Sequence, residues 1–270
     1  AKRALALLRA KTEREADMLA GDLKALNESR RDMTDRVVDE AMAKVEQTDI
    51  REDKVLVIYL PDCHESLAGL VAGRVRENYY RPVFVLTDSE DGVKGSGRSI
   101  ESYSMYEELT GCEDLLTKFG GHPMAAGLSL DKENVEKFKR RLNDQCTLSE
   151  EELTEKVVID MELPFTAITE HFIEELECLE PFGKGNAKPV FAARGVIMQH
   201  VKIIGKNKNV AKATATDAAG NRMEAICFRD AQEFAEQCER NNGKMSITFY
   251  PGINEFRGER QIQIVITHYR

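Results

Sequence analysis

The sequence predicts an α/β domain carried behind a long helix and followed by a mostly β barrel. Three observations lead there. The 270 residues suffice for about two average domains. Helical apolar spacing fills the first fifty residues, and strand and helix patterns then alternate. Beyond an acidic stretch at 149–156 the pattern turns to short strands with Gly/Asn turns. The expected limits are therefore 1–50 for a connector helix, 51–148 for the α/β domain and 149–270 for the barrel.

Thr12-x-x-Glu15 is a capping box, and a helix of about Glu13–Gln47 should follow it. Leu19, Leu23, Leu26, Met33, Val37, Ala41 and Val45 give it one apolar stripe, with charges elsewhere and Gly21 as a potential kink. At 1.5 Å per residue it would be roughly 50 Å long. The run Val55–Leu60 reads as a strand buried on both faces, then a helix at about Ser66–Tyr79 and a strand at Pro82–Leu86. That is most simply a right-handed parallel crossover. A Gly-rich turn (Asp91-Gly92, Gly95-Ser96-Gly97) should lead into Arg98–Tyr103. Helices are expected at about Met105–Phe119, interrupted at Gly111, and Lys132–Cys146, with a Gly120-Gly121-His122-Pro123 turn and a strand at Met124–Leu130 between them. In the last part, strands are expected at Val157–Met161, Val190–Ala193, Gly195–Ile204, Val210–Thr216, Arg222–Phe228, Met245–Tyr250 and Gln261–Thr267. Helices belong at Ile168–Leu179 and Ala231–Arg240. A small closed or partly open barrel, of OB-fold size, accommodates these strands.

Composition narrows the function classes. Hydrophobic residues at 42% and charged residues at 31% describe a core-forming chain rather than a disordered one. No apolar run approaches the ~20 residues that span a bilayer. No basic-then-apolar segment opens the chain, so no signal peptide is expected. It begins at Ala1, inside a helical pattern, like a piece of something longer. The six cysteines form no Cys-x-x-Cys pair and no zinc-finger spacing, which fits reduced thiols in a cytoplasmic protein. The net charge of −9 argues against a polyanion partner, but the charge is unevenly spread. Between Pro181 and Thr216 there is no acid, while Lys184, Lys188, Arg194, Lys202, Lys206, Lys208 and Lys212 are all basic. Such a strip can bind phosphates locally, because charges are screened within about 10 Å. A solvated surface explains it equally well.

Two short motifs could carry chemistry. In Gly120-Gly121-His122, the glycines let backbone N–H groups approach a phosphate, and the histidine can donate to it or act as an acid or base. Taken alone, such a turn is more often a plain loop. Ser96 and Arg98 in Gly95-Ser-Gly-Arg-Ser99 offer a hydroxyl and a bidentate guanidinium to a terminal phosphate, with a solvent-exposed hairpin arm as the alternative. His64, ahead of the helix near Ser66, is expected to cap it. The sequence has no His-Glu-x-x-His, Asp-His, Gly-x-Ser-x-Gly or Gly-x-x-x-x-Gly-Lys motif. No set of carboxylates and histidines for a metal-dependent hydrolase can be assembled, so the chain looks catalytically incomplete and no metal ligand is assigned.

These pieces occur in order in one family. His64 with Gly69-Leu-Val-Ala-Gly73, Tyr80-Arg-Pro82, Gly95-Ser-Gly-Arg-Ser99, Phe119-Gly-Gly-His-Pro-Met-Ala-Ala-Gly127, Leu179-Glu-Pro-Phe-Gly-Lys-Gly-Asn186 with Pro189-Val-Phe191, and Asn254-Glu-Phe-Arg-Gly258 resemble the C-terminal two-thirds of the RecJ family. These are bacterial single-stranded-DNA-specific exonucleases of the DHH/DHHA1 phosphoesterase superfamily. Cys63, Ser66 and Phe256 depart from the family pattern, where an aromatic residue, Gly and Trp are common. The resemblance implies a DHHA1-type α/β domain and an OB-fold domain. It also implies a DHH domain outside this chain, holding two Mn²⁺ or Mg²⁺ ions, with all three enclosing a narrow channel for single-stranded DNA. It further implies that Ser96 and Arg98 hold a 5′ end, and that Gly120, Gly121 and His122 face the metals and the scissile phosphate. Lys202, Lys206, Lys208 and Lys212 would track the DNA backbone while Phe249 or Phe256 stacks bases. The expected role is the DNA-binding part of a 5′→3′ single-stranded-DNA exonuclease in repair and recombination. Its partners would be single-stranded DNA and a single-strand-binding or other repair protein, with no membrane. The alternatives are a phosphodiesterase for nanoRNA or cyclic dinucleotides, and a non-catalytic nucleic-acid-binding module.

Overall fold

The computed structural model describes residues 2–205, 208–228, 231–256 and 258–270, the side chain of Phe256 excepted. It divides into two compact units, 1–155 and 156–270.

In the first unit a short helix α1 (Lys2–Leu8) precedes α2 (Glu13–Gln47). The Thr12 hydroxyl caps α2 by accepting from the Glu15 amide at 3.3 Å, and the helix runs unbroken through Gly21. Only Ala41 and Val45 are buried, so the apolar stripe packs at its C-terminal end alone. Strand β1 (Leu56–Tyr59), α3 (Glu65–Tyr79) and β2 (Val83–Ser89) form the expected parallel crossover. His64 caps α3 as expected, its Nδ1 accepting from the Ser66 amide at 3.2 Å.

The sheet continues with β3 (Gly92–Arg98), β4 (Lys118–His122) and β5 (Ala125–Leu130) in the spatial order β1-β2-β3-β5-β4. α3 and the end of α2 bury Leu56, Ile58, Val83 and Val85 on one face. On the other, α4 (Met105–Thr110) and α5 (Val135–Gln145) pack with Phe84, Leu86, Phe138 and Leu142.

Three expectations are corrected here. Gly95-Ser96-Gly97 is not a turn but the middle of β3. Its glycines face the helical core, where a Cβ on Gly97 would come within 2.7 Å of the Phe84 ring and 2.8 Å of the Met105 sulfur. The helix expected to reach Phe119 stops at Thr110, and a 3₁₀ turn at Glu113–Leu115 leads into β4. Gly120-Gly121-His122 is therefore edge strand, and the reversal falls at Pro123-Met124. Ala125 opens β5 opposite His122.

The second unit is a closed barrel of β7 (Phe191–Ile204), β8 (Val210–Thr216), β9 (Arg222–Cys227), β10 (Lys244–Phe256) and β11 (Glu259–Tyr269). Pairs β7–β8, β8–β9, β10–β11 and β10–β7 are antiparallel and β9–β11 is parallel, which is the Greek-key closure of an OB fold. Helix α7 (Ala231–Arg240) inserts Phe234 and Cys238 into the core, and α6 (Glu170–Glu177) supplies Ile173 and Leu176. Two expected strands, 190–193 and 195–204, are one, because Gly195 at φ +62 bends β7 without ending it. The expected strand at 157–161 shrinks to β6 (Met161–Glu162), paired in parallel with β7. Among the described residues no helix is long and apolar enough to cross a membrane.

Glycine is required at residue 97 by packing and not at residue 120, where a Cβ would meet nothing within 4 Å. Gly97→Ala should lower the free energy of unfolding by about 1–3 kcal/mol, the cost of overpacking a filled core. Gly120→Ala should leave it within about 0.5 kcal/mol, as surface substitutions usually do. Urea denaturation of the two variants measures both.

Candidate nucleic-acid interface

Strand β5 brings the two sequence motifs together. It lies between β3 and β4, so Ser96 pairs with Gly127 and Gly127 with Gly120, while Arg98 pairs with Ala125 and Ala125 with His122. Cross-strand partners share a face, so Ser96, Arg98, Gly120 and His122 all point to the side that α3 leaves uncovered beyond β3. Gly127 and Gly120 put no side chain on that floor. Adjacent strands are ~4.8 Å apart, so the backbones of Arg98 and His122 stand about 10 Å from one another across Ala125. Arg98 and His122 thus stand on the same face, on the two strands that flank Ala125.

The Arg98 side chain is held toward α3. Its guanidinium donates to the Gly97 carbonyl at 2.8 Å and lies against α3, where a Cβ on Gly69 would come within 2.7 Å of it. Among the described residues no carboxylate forms an ion pair with it. A groove of about 710 Å³ between α2 and α3 runs up to it, lined by Arg30, Arg31, Arg74 and Arg76 together with the acids Asp35 and Glu77. Arg74 and Arg76 are partly neutralised by Glu77, at 3.7 and 3.3 Å. Sequence reasoning missed these arginines because only the packing of α2 against α3 gathers them.

The two glycines of the Gly-Gly-His motif differ. Gly120 is open and can admit a ligand. Gly121, at φ +153, has no room for a Cβ, which would fall 2.6 Å from the Ala126 Cα, so the hairpin itself demands glycine there. His122 is exposed at the end of β4.

On the barrel the lysines separate. Lys202 stands directly across from Lys212 in the β7–β8 ladder. Lys212 is paired with Glu224 at 2.7 Å, which offsets the charge assigned to backbone tracking. Lys208 is exposed in the β7–β8 turn, in a left-handed conformation (φ +53). Lys206 lies outside the described residues, as does the side chain of Phe256. Phe249 is fully buried, packed edge-on to Phe165 at 6.0 Å, and is excluded as a base-stacking surface. Burial at the core of the barrel is the reason. The Leu179–Asn186 motif is built as a self-bonded turn, with the Asn186 amide donating to the carbonyls of Leu179 and Pro181 at 2.8 and 3.1 Å. Lys188 just beyond it lies 3.7 Å over the Tyr250 ring. Among the described residues no three His, Cys, Asp or Glu side chains are grouped so as to hold a metal ion.

A five-stranded α/β sheet with helices on both faces, followed by a closed Greek-key barrel, defines a DHHA1 domain joined to an OB domain. Residues 52–148 match the DHHA1 domain family and residues 159–268 match the RecJ OB domain. The chain belongs to the RecJ family and corresponds to its DHHA1–OB part. It is 32% identical to the single-stranded-DNA-specific exonuclease RecJ of Bacillus subtilis (strain 168), over 97% of this chain and 34% of that protein. With the Escherichia coli (strain K12) protein of the same description it shares 30% identity, over 93% of this chain and 45% of that one. The chain thus spans about a third to just under half of these relatives, less than the two-thirds expected from the motifs. RecJ from Thermus thermophilus in complex with Mn²⁺ has the same fold, with a TM-score of 0.78 at 24% identity over all of this chain and 38% of that one.

The pairing of Lys212 yields a prediction. Lys202→Ala should flatten the log–log salt dependence of single-strand binding by about 0.7, the contribution of one phosphate contact. Lys212→Ala should change that slope less but destabilise the barrel by about 1–2 kcal/mol, since it leaves Glu224 unpaired and mostly buried. Salt titrations and thermal denaturation of both variants test this.

Proposed function

We propose that this chain is the substrate-holding part of a 5′→3′ single-stranded-DNA exonuclease acting in DNA repair and recombination. The observation that carries the reading is the convergence of Ser96, Arg98, Gly120 and His122 on one bare-floored face. The descriptions of the relatives supply the substrate and reaction class. In this reading Arg98, with its bidentate fork, and the Ser96 hydroxyl take a 5′-terminal phosphate. The strand's next phosphate lies over Gly120 and Gly127, where no side chain obstructs it. His122 contacts that phosphate and stabilises the charge that builds on it during hydrolysis. On the barrel, Lys202 and Lys208 offer contacts of their own to a strand's backbone.

The divalent metal belongs to the complete enzyme's DHH domain. When bound it activates the attacking water and neutralises charge on the phosphodiester. This chain then contributes binding and orientation, and by itself should release no nucleotide from DNA in Mn²⁺. A phosphodiesterase for short RNA or cyclic dinucleotides would use the same α/β face. The closed barrel of about 110 residues favours the longer substrate.

Fluorescence anisotropy of this chain with 5′-phosphorylated and 5′-hydroxyl single strands tests the reading. The phosphorylated strand should bind more tightly, and Arg98→Ala should remove that advantage, worth about 1.5–3 kcal/mol for a charged hydrogen-bonded contact. Equal binding of the two strands would contradict it. In the complete enzyme, His122→Ala should slow turnover by about 10²–10⁴-fold with little change in DNA affinity. Steady-state and binding assays on that variant separate the two effects.

A further inference from the structure

We propose that Lys94 and Lys118 form a further phosphate subsite on the α/β face, taking the third phosphate of a strand whose 5′ phosphate lies at Arg98. The proposal rests on the reading of Arg98 given above and extends the site along the strands. The sheet register continues past the Ser96–Gly127–Gly120 row to one more, in which Lys94 pairs with Ser129 and Ser129 with Lys118. All three side chains share the face that carries Ser96 and Arg98. A cleft of about 380 Å³ opens there, between the first turn of α3 at Glu65 and Ala68 and the edge strand β4, with Gly120 and Gly127 in its lining.

Among the described residues of the cleft, Lys118 is the cation left open to an anion. Glu65 holds the Lys94 ammonium at 3.0 and 3.1 Å, which fixes its position and keeps it above the ordinary lysine range, hence charged at neutral pH. Lys118 is exposed and, among the described residues, has no carboxylate in ion-pair contact. In the lining of the cleft two ammonium groups face one carboxylate, Glu90 and Asp91 act on Lys94 from farther along the β2–β3 hairpin, and the Ser129 hydroxyl lies between the lysines as a neutral donor. Lysine binds phosphate as a point charge without demanding one orientation, which suits an internal phosphodiester.

Spacing assigns the occupant. Successive rows on one face are two residues apart, about 7 Å, so Lys94 lies about 13 Å along β3 from Arg98. An extended nucleic-acid strand sets its phosphates at comparable steps. A strand with its first phosphate at Arg98 and its second over the glycine floor therefore brings its third to Lys94 and Lys118.

Calorimetric titration of this chain with 5′-phosphorylated oligothymidylates of one, two and three nucleotides tests the assignment. The trinucleotide should bind about tenfold more tightly than the dinucleotide, the gain from one charged contact. Lys118→Ala should abolish that gain while leaving mononucleotide affinity unchanged, and Lys118→Arg should restore it. Among the described residues the exposed Lys118 side chain has no hydrogen-bond or ion-pair partner, so these variants should melt with the parent. A gain from two to three nucleotides that survives Lys118→Ala overturns the subsite while the reading of Arg98 stands. Arg98→Ala without effect on any of the three ligands, or no binding of any of them, overturns both.

Discussion

The antiparallel register of β3, β5 and β4 is the constraint on which the face depends. Ser96 and Arg98 are separated from Gly120 and His122 by more than twenty residues of chain, including α4 and a 3₁₀ turn. Only the insertion of β5 between β3 and β4 sets them in adjoining rows. A slip of one residue in either pairing would turn every side chain of a strand to the opposite face. The register is held from behind, where Ala126, Leu128 and Leu130 alternate into the core against Phe84, Leu86 and Phe138. Gly95 and Gly97 belong to the same lock, since each leaves room for a core side chain that a Cβ would displace. The glycines of these strands thus serve two ends: some are needed by the core behind the face, and others leave its front bare.

An acidic chain can present such a face because binding is governed by local charge. The net charge is −9, yet the cations divide into those with carboxylate partners and those without. Lys132 is held by Asp88, Lys139 by Asp53 and Lys212 by Glu224, at 2.9, 3.3 and 2.7 Å. Arg98 lies against glycine instead, and Lys118 is on an open edge strand. Exposed pairs of the first kind contribute little to stability and lower the local potential. Charges of the second kind remain fully available to a ligand, whereas Lys94, bonded to Glu65, can join one only by sharing its ammonium with that carboxylate. The same sorting on the barrel shifts the weight of an anion-binding role from Lys212 toward Lys202.

The architecture was legible in the sequence wherever its signal was local. The helical spacing of α2 and α3, the apolar run of β1, the strands of the barrel and the boundaries of α7 follow from periodicity and caps, and the bonds from Thr12 and His64 bear this out. The edge strand β4 was not legible. Phe119 is its one partly covered apolar residue, so Lys118–His122 has no alternation to distinguish it from the end of a helix. The residue types of the candidate site were legible in two motifs, since small residues beside a lone Arg or His stand out. Their meeting was not, because it depends on pairing across β5. Arg30 and Arg31 escaped notice for a related reason: charges surround most of α2, and only α3 selects which of them line a groove. The pairing of Lys212 with Glu224 joins β8 to β9, and a reading of the basic stretch alone could not anticipate an acid from the next strand.

In the proposed function, one face of the α/β sheet, organised by β5, receives the phosphates of a single strand. Amide NMR spectra of the ¹⁵N-labelled chain, recorded as 5′-phosphorylated trithymidylate is added, test it most directly. The largest shifts should fall on Ser96, Arg98, Gly120, His122 and Gly127, with the amides of the opposite face, at α4 and α5, unmoved. Shifts confined to the barrel, or spread evenly over both faces of the sheet, would contradict it.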